Sequence, residues 1–363
     1  MKVVFDNIIY SLQKSGGGSV YWTELMKRFN KSNEVQATFY EQKEPNNNIF
    51  NEQIEFKNIF KETFLNLSVR RYLNFTEKIT AKSIFHSSYF RISKSKNAIN
   101  VTTIHDFTTE KFRKGLARFV NFQQKKYAVL NSDGIICISE NTKKDLLSYI
   151  PVLDSRKVKV IYNGVSEDFF YIDGHFSISD KDKRFEILEN KKYLIYIGHR
   201  TSYKNFPIAV KAAGKVKDEF KLVIIGEDLS DSEKGMVEKY LGSNYLLISK
   251  LQNKELNFLY NQAFALLYPS SYEGFGIPIV EAMKTRCPVI ASKNSSIPEV
   301  AGDAAILYNN INEDLIVEGL MKLQDVTFRE NLLYKGTLQS ARFNWDNTYK
   351  QYLEFYKELY DAR

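Results

Sequence analysis

The residue types best suited to chemistry are concentrated in residues 270–286, which read SSYEGFGIPIVEAMKTR. Two carboxylates, Glu273 and Glu281, lie on either side of two glycines and Pro278. Glycines after an apolar strand let the backbone approach a ligand closely, and a proline suits the first turn of a helix. The free N–H groups at such a helix start bind phosphate, and a carboxylate one turn further along can reach a ribose diol. The stretch therefore predicts a phosphorylated sugar ligand with hydroxyls near Glu273; the alternative is a βα turn with two surface acids.

Two cations follow another apolar strand, in the segment IGHRTSYKNF at residues 197–206. Gly198 ends the strand, and Arg200 and Lys204 come before a helix begins. Arginine offers a planar fork and lysine a point charge, and both suit a diphosphate. Fixed cations stabilise the negative charge that develops on a departing diphosphate. Taken alone the segment is a weak signal, because lysine and arginine are common on protein surfaces.

The first half of the chain has a histidine at the carboxyl end of a predicted strand. His105 and Asp106 follow the run NAINVTTI at residues 97–104. A histidine there can hydrogen-bond a sugar hydroxyl, with Asp106 orienting the ring, and a structural His–Asp pair is the alternative. Gly17 and Gly18 follow the first strand and can present amides to a phosphate, unless they form a flexible turn without a ligand. This turn lacks the G-x-G-x-x-G pattern, which disfavours a dinucleotide-dependent redox enzyme.

Metal and cysteine chemistry have no support in the sequence. Cys137 and Cys287 lie far apart inside apolar runs, which is typical of buried thiols in a reducing compartment. No Cys/His cluster has metal-ligand spacing, and the nucleophile elbow G-x-S-x-G does not occur. We therefore expect neither a metal nor a cofactor.

The elements that must position these residues form two successive sets of strands and helices. Short runs that are apolar throughout alternate with stretches of helical periodicity, from residues 3–5 to 157–163 and again from 193–198 to 288–292. Such runs indicate parallel sheets covered on both faces. The pattern predicts an α/β protein of two doubly wound, Rossmann-like domains that face a central cleft.

The predicted domain boundaries follow a change in composition. Residues 1–165 form the first domain, the polar segment 166–191 is a linker, and residues 192–343 form the second domain. A strongly aromatic helix at residues 344–361 is expected to pack back across the first domain.

Length and composition agree with this organisation. The chain has 363 residues, of which 44% are hydrophobic and 26% are charged. That length fits two domains of about 150–180 residues, and the composition excludes collagen-like and wholly disordered chains. No run approaches the roughly 18 apolar residues of a membrane span, and the N-terminus lacks a signal-peptide pattern. We expect a soluble cytoplasmic protein. Residues 1–165 carry a net charge of +11 and the remainder −3, so one half is suited to an anionic partner.

Taken in order, these motifs resemble the family 4 retaining glycosyltransferases, which have the GT-B fold. EGFGIPIVEAM resembles the family's E-x7-E signature, IYNGVSEDFF its interdomain turn and IGHRTSYKNF its donor-phosphate loop. ICISENTKKDLL, SSIPEVAGDAAILY and the N-terminal GGG extend the resemblance over nearly the whole chain. The variants HDFTTEKF and GHRTSYKNF are similar to those of bacterial polysaccharide enzymes, including mannosyltransferases.

The resemblance implies a role for each motif residue. Glu273 would contact the donor sugar, and His105 would face that sugar across the cleft. Lys204 and Arg200 would neutralise the leaving diphosphate, although many members have a basic residue where this chain has Tyr203, which weakens the assignment of Arg200. The implied donor-binding set holds the ribose, the phosphates and the base, and it comprises Gly17, Gly18, Lys250, Leu251, Gly274, Phe275, Gly276, Ile277 and Glu281.

The implied reaction moves a hexose from a GDP- or UDP-sugar to a hydroxyl of a saccharide, for which a lipid-linked acceptor is the leading expectation. Retention would proceed by same-face displacement, because no nucleophile for a double displacement is evident. A metal is not implied, because the two cations and the helix-end amides can compensate the charge of the diphosphate. Two alternatives stay open: a nucleotide-sugar epimerase of the same fold, and a scaffold that binds nucleotide sugars without catalysis. We expect no nucleic-acid partner.

A basic and aromatic segment suggests a second kind of partner. Residues 111–127 contain six basic residues and no acid, with Phe112, Phe119, Phe122 and Tyr127 interleaved. The basic residues are Lys111, Arg113, Lys114, Arg118, Lys125 and Lys126. Together with Arg70, Arg71 and Tyr72, this segment could dock on an anionic membrane surface, which would make the protein peripheral on the inner face of the cell membrane. The alternative is a helix with core aromatics and solvated lysines.

Overall fold

The structure, a computed structural model, describes residues 1–42, 48–62, 67–174, 176–178 and 180–363. These residues divide into two compact units. Unit 1 comprises Met1–Gly164 and Trp345–Arg363, and unit 2 comprises Val165–Asn344.

Unit 1 is built on a parallel sheet. Its strands are β1 (Lys2–Asp6), β2 (Gln36–Gln42), β3 (Ile59–Glu62), β4 (Ser83–Ser87), β5 (Ala98–Ile104), β6 (Gly134–Cys137) and β7 (Val158–Val160). The seven strands lie in the order β3-β2-β1-β4-β5-β6-β7, and all their pairings are parallel. The order reverses between β1 and β4, so the loops at their carboxyl ends diverge and leave a crevice where ligands of such sheets bind.

Unit 2 repeats this plan. Its strands are β8 (Lys192–Ile197), β9 (Phe220–Ile225), β10 (Tyr245–Ile248), β11 (Ala265–Tyr268), β12 (Val289–Ser292) and β13 (Ile306–Tyr308). Their order is β10-β9-β8-β11-β12-β13, again with parallel pairings, and it reverses between β8 and β11. The sequences KYLIYI and FKLVII of β8 and β9 are mostly buried, as expected for strands covered on both faces.

The helices lie mostly between successive strands. They are α1 (Ile9–Leu12), α2 (Gly17–Lys31), α3 (Leu67–Arg70), α4 (Thr108–Phe112), α5 (Leu116–Leu130), α6 (Glu140–Tyr149), α7 (Phe206–Lys215), α8 (Asp231–Leu241), α9 (Asn253–Gln262), α10 (Ile277–Lys284), α11 (Ile297–Ala301), α12 (Glu313–Lys322), α13 (Val326–Ser340) and α14 (Trp345–Ala362). The predicted fold class, two α/β units with doubly wound parallel sheets, is confirmed.

The C-terminal helix α14 is part of the core of unit 1. Its aromatic side chains Tyr352, Phe355 and Tyr356 are buried among residues of β1, β4 and α2. The contact is tight, because a Cβ at Gly134 on β6 would lie 2.8 Å from the Phe355 ring. Glycine at that position therefore lets the helix approach the sheet.

The described residues of the segment 166–191 belong to unit 2 instead of forming a separate linker. The backbone N–H groups of Phe170 and Ile172 donate to the Asn257 and Asn261 side chains of α9 at 3.0 and 2.7 Å. Phe185, in the short 3-10 helix Lys183–Leu188, is buried. The polar composition of this segment suggested a linker, but its few apolar residues are enough to anchor it.

None of the helices in the described ranges combines the length and the apolar character that a membrane crossing requires.

Candidate functional site

The site is built from two loops at the carboxyl edge of the unit 2 sheet, on either side of the point where the strand order reverses. One loop follows β8 and contains the 3-10 turn Ser202–Lys204, and the other follows β11. The backbone N–H of Ser271 donates to the Tyr203 carbonyl at 2.7 Å. The side chain of Asn205 donates to the Pro269 carbonyl at 2.9 Å. These bonds hold the two loops against each other and thereby fix the residues they carry.

Lys204 and Glu273 form an ion pair between these loops. The Lys204 Nζ lies 2.6 and 2.7 Å from the two carboxylate oxygens of Glu273. The lysine side chain is 16% exposed and the glutamate side chain 11% exposed, so both charges remain open to a ligand. The backbone N–H of Glu273 donates to Ser295 Oγ at 2.8 Å, and its carbonyl accepts from Ser296 Oγ at 2.9 Å. The structure therefore brings together the lysine and the glutamate that the sequence analysis assigned to catalysis.

The glycine-containing loop ends at the start of α10. Gly276 has a φ of 103°, a left-handed conformation that favours glycine, and Ile277 and Pro278 open the helix. Pro278 has no N–H and the Ile279 N–H donates to the Gly276 carbonyl at 3.0 Å, so the N–H that this helix start offers to an anion is that of Ile277. Gly274 lies in the same loop. The Phe275 side chain is buried edge-on against the Phe343 ring, with 5.4 Å between centroids, so its contribution to a ligand would come from the backbone.

Glu281 lies one turn into α10. Burial of its carboxyl group raises its pKa from 4.5 to about 7, and the nearby Tyr260 hydroxyl and Lys284 ammonium oppose that rise. The Tyr260 hydroxyl donates to Glu281 Oε2 at 3.3 Å. This carboxyl group therefore titrates near neutral pH and already has a hydroxyl donor.

Arg200 has other partners than the Lys204–Glu273 pair. Its Nε donates to Glu233 Oε1 at 2.9 Å, and its Nη2 donates to the Asp228 carbonyl at 2.6 Å. Its side chain is 7% exposed. The two cations of the segment thus each have an anionic partner of their own.

Lys250 and Leu251 follow β10 at the edge of the unit 2 sheet. Lys250 is exposed and has a φ of 58°, a conformation uncommon outside glycine. Gln252 then starts α9 with a capping box completed by Glu255. The unusual turn presents the backbone of these residues at the carboxyl edge of the same sheet.

In unit 1, His105 follows β5 and is half-buried. Its ring packs edge-on against Tyr21, with 4.6 Å between centroids, and burial lowers its pKa to about 4. The sequence analysis assigned the orientation of this ring to Asp106. The Asp106 carboxylate accepts the Thr108 backbone N–H at 2.8 Å at the start of α4, and its negative charge opposes the fall in the pKa of His105. Tyr21 of α2 is the residue in ring contact with His105.

Gly17 and Gly18 are the first two residues of α2. A Cβ at Gly17 would meet no atom within 4 Å, and one at Gly18 would lie 3.6 Å from the Gln13 side chain. Packing within the chain therefore does not require glycine at either position.

Sequence reasoning missed two buried polar groups of unit 1. At the edge where β1 and β4 end, Arg91 binds Asp6 at 2.9 Å and Glu62 at 2.8 Å, and all three side chains are fully buried. Beneath His105, the His86 imidazole contacts the Tyr356 hydroxyl at 2.5 Å and Thr103 Oγ1 at 3.0 Å. Asp6, a polar residue at the end of a predicted strand, is the signal that could have indicated the first group, whereas His86 lies in a strand that the sequence pattern did not reveal.

The basic and aromatic segment of unit 1 is partly exposed. Phe119 on α5 is 59% exposed, and Arg113, Lys114 and Arg118 are exposed as well. Phe122 is half-buried near the Tyr149 ring. Two basic residues that the sequence analysis included lie in the interior: Lys125, which binds Glu110 at 2.8 Å, and Arg70, which donates to the Glu62 carbonyl at 3.2 Å. Each is drawn inward by an acceptor from another element.

Among the described residues, no group of three or more histidines, cysteines and acids could hold a metal ion. Separately, the loops after β8 and β11 bring together the Lys204 ammonium, the Glu273 carboxylate and the start of α10, and the Glu281 carboxyl group lies further along that helix.

Models of known protein families match both units. A model described as Glycosyltransferase Family 4 matches residues 15–169, and one described as Glycosyl transferases group 1 matches residues 177–336. Together the two models span most of the chain, and they confirm the family indicated by the motifs.

Individual relatives agree with this assignment. The chain is 26% identical to the uncharacterised glycosyltransferase MJ1178 of Methanocaldococcus jannaschii over 99% of both proteins. It is 40% identical to the O-antigen chain mannosyltransferase B of Escherichia coli over 108 residues, which are 30% of this chain and 28% of that protein. The latter match thus spans less than a third of the relative. Among solved structures, Anabaena HepE (Alr3699) in complex with UDP-glucose superposes with a TM-score of 0.75 at 15% identity over 98% of each chain, which confirms the GT-B fold.

Proposed function

This chain belongs to glycosyltransferase family 4, and we propose that it transfers a hexose from a nucleoside diphosphate sugar to a hydroxyl of a saccharide, with retention and without a metal. The bond between C1 of the sugar and the diphosphate oxygen breaks, and a bond from C1 to the acceptor oxygen forms. The acceptor proton passes to the departing diphosphate. The O-antigen function in the name of the Escherichia coli relative supports a role in cell-surface polysaccharide synthesis.

The observation that carries this proposal is the Lys204–Glu273 pair at the reversal point of the unit 2 sheet, beside the start of α10. An ammonium and the N–H groups of a helix start are suited to a diphosphate. A carboxylate is suited to sugar hydroxyls, which donate hydrogen bonds to it. One short stretch of surface therefore offers a partner to each half of a sugar nucleotide.

The same groups favour a same-face displacement. Negative charge grows on the distal phosphate as the C1–oxygen bond breaks, and a fixed cation at Lys204 stabilises that charge more in the transition state than in the ground state. A double displacement would need a free carboxylate beneath C1. We assign Glu273 to the sugar hydroxyls, where it does not serve as that nucleophile, and we assign the proton transfer to the departing phosphate.

We propose a mannose nucleotide as the first donor to test, on the strength of the mannosyltransferase relative, and UDP-glucose as the second, on the strength of the Anabaena complex. The experiment measures thermal shift with GDP-mannose, UDP-glucose and ADP-glucose and then follows the fate of each bound donor. At a ligand concentration 100 times its dissociation constant, the free energy of unfolding rises by about 2.7 kcal/mol. A transferase hydrolyses the donor slowly or glycosylates an acceptor, an epimerase isomerises it, and a scaffold binds it unchanged. No binding of any sugar nucleotide would contradict the proposal.

We also propose that unit 1 docks on an anionic membrane surface, which would bring a lipid-linked acceptor to the enzyme. The docking surface, called here the α5 face, comprises Tyr72, Phe112, Arg113, Lys114, Leu116, Arg118, Phe119 and Tyr127. All eight side chains are exposed, Leu116 by 76%. The Asn74 side chain donates to the Tyr127 hydroxyl at 3.3 Å, so the loop that carries Tyr72 lies against α5. Cations with aromatic side chains beside them combine electrostatic attraction to acidic lipids with burial of apolar area.

Co-sedimentation with vesicles tests the α5 face. The test variant changes Arg113, Lys114 and Arg118 to Ser, and a matched control changes three exposed lysines of unit 2, Lys234, Lys239 and Lys335, to Ser. At about 1 kcal/mol per basic residue, the test variant should bind anionic vesicles at low salt about 100-fold less tightly than wild type, and the control should bind as wild type does. Equal binding of all three proteins would eliminate this surface, and negligible binding of wild type would favour a soluble acceptor.

A further inference from the structure

We infer that Glu273 competes with the diphosphate for Lys204, so that the product nucleoside diphosphate binds less tightly than it would if residue 273 were neutral. This inference rests on the proposed function and adds a means of product release to it. It follows from the ion pair that Lys204 already forms with Glu273.

The geometry makes the competition direct. Both carboxylate oxygens of Glu273 lie within 2.7 Å of the Lys204 Nζ. A lysine ammonium has three donors, of which the carboxylate uses two. A phosphate that approaches Nζ must therefore take over a donor from Glu273 or accept a like charge close to its own oxygens. Either way, the carboxylate lowers the affinity of the site for a bare diphosphate.

Neither partner can leave by a simple loop movement. Glu273 is held through its backbone by Ser295 and Ser296, at 2.8 and 2.9 Å. The loop that carries Lys204 is held by the bond from Asn205 to the Pro269 carbonyl at 2.9 Å. The two charges therefore stay within reach of each other whether or not a third charge enters.

The sugar changes this balance. Its hydroxyls donate hydrogen bonds to Glu273 and so replace the ammonium as partner when Lys204 turns to the diphosphate. Once the sugar has been transferred, no donor replaces it, and a carboxylate that is 11% exposed loses stabilisation unless it returns to Lys204. That return weakens the hold on the diphosphate and favours its dissociation.

The test compares Glu273→Gln with wild type by isothermal titration with UDP, GDP and the sugar nucleotide that wild type prefers. Glutamine keeps the shape and hydrogen-bonding capacity of the side chain but removes its charge. We expect the preferred nucleoside diphosphate to bind the variant about three- to tenfold more tightly, and the sugar nucleotide to bind no more tightly than before. Glu330→Gln is the matched control, because Glu330 pairs with Arg286 at 2.6 Å in the same unit and is 57% exposed. It should leave both affinities unchanged.

The outcomes separate this inference from the function on which it rests. If wild type binds and transfers a sugar but the variant binds the diphosphate equally or less tightly, the inference is overturned and the transferase assignment stands. If wild type binds no nucleotide at all, both fail. Glu273→Asp, which keeps the charge but shortens the side chain, serves as a second variant should Glu273→Gln unfold. Tighter binding of the diphosphate to it would support the competition, and unchanged binding would oppose it.

Discussion

Replacement of Lys204 by Met removes one charge from the centre of the site and keeps an unbranched side chain of similar length. The lysine side chain is 16% exposed, and its Nζ lies 2.6 and 2.7 Å from the two Glu273 carboxylate oxygens. Two effects follow: the glutamate loses its ammonium partner, and the departing diphosphate loses a fixed cation.

The first effect acts on the free energy of unfolding, and the second acts on turnover. Loss of a partner for a carboxylate that keeps some access to water costs about 1–3 kcal/mol in the free energy of unfolding. Loss of a fixed stabilising group for developing charge costs about 100- to 1000-fold in turnover, or about 2.7–4 kcal/mol. Lys204→Met should therefore lose most of its turnover at a temperature where it is still folded.

The assay follows release of the nucleoside diphosphate from the preferred donor at saturating acceptor, and circular dichroism verifies folding. Lys192→Met is the matched control, because Lys192 pairs with Glu219 at 2.9 Å on the exposed surface of the same unit. It should retain near wild-type turnover. A turnover of Lys204→Met within threefold of wild type, about 0.6 kcal/mol, would refute the assignment of Lys204 to the leaving group.

Two further predictions concern buried ionisable groups. Burial raises the pKa of Glu281 from 4.5 to about 7 in the folded chain. Between pH 4.5 and 7 the folded chain therefore holds a proton that the unfolded chain has lost, and the free energy of unfolding falls as the pH rises. Urea titrations from pH 4.5 to above 7 should show a loss of about 2–3 kcal/mol from this group in wild type and not in Glu281→Gln; identical pH slopes would contradict it. Arg91→Met removes the cation that binds both the Asp6 and the Glu62 carboxylates and should lower the free energy of unfolding by about 3–5 kcal/mol at neutral pH, and a loss below about 1 kcal/mol would show that this cation is dispensable.

The fold class follows from the sequence because the central strands are apolar throughout, as in β8 and β9. The strands that sequence reasoning did not identify differ from these in a physical way. Strand β2 (QATFYEQ) is mostly half-exposed and mixes polar with apolar residues, and β4 (SIFHS) is fully buried yet contains two serines and a histidine. The imidazole of His86 in β4 forms a hydrogen bond with the hydroxyl of Tyr356, which lies 270 positions away in the sequence. A local pattern cannot contain that information.

The same limit applies to the site. Motif spacing predicts that Lys204 and Glu273 follow strands of one sheet, but their pairing depends on how two loops pack. Arg200 pairs with Glu233, which also forms the capping box at the start of α8. The sequence pattern therefore identifies Glu233 as a helix-capping residue and gives no sign of its contact with Arg200. Lys125 was assigned to an exposed face because its neighbours are basic, whereas Glu110 draws it into the interior.

The location of the diphosphate is the most direct test of this account. A crystal structure with the donor that gives the largest thermal shift would show it. We predict phosphate oxygens within about 3 Å of the Lys204 Nζ and beside the Ile277 N–H at the start of α10, with a sugar hydroxyl on Glu273. A diphosphate bound elsewhere in the protein, with Lys204 and Glu273 still in contact with each other alone, would contradict the central claim.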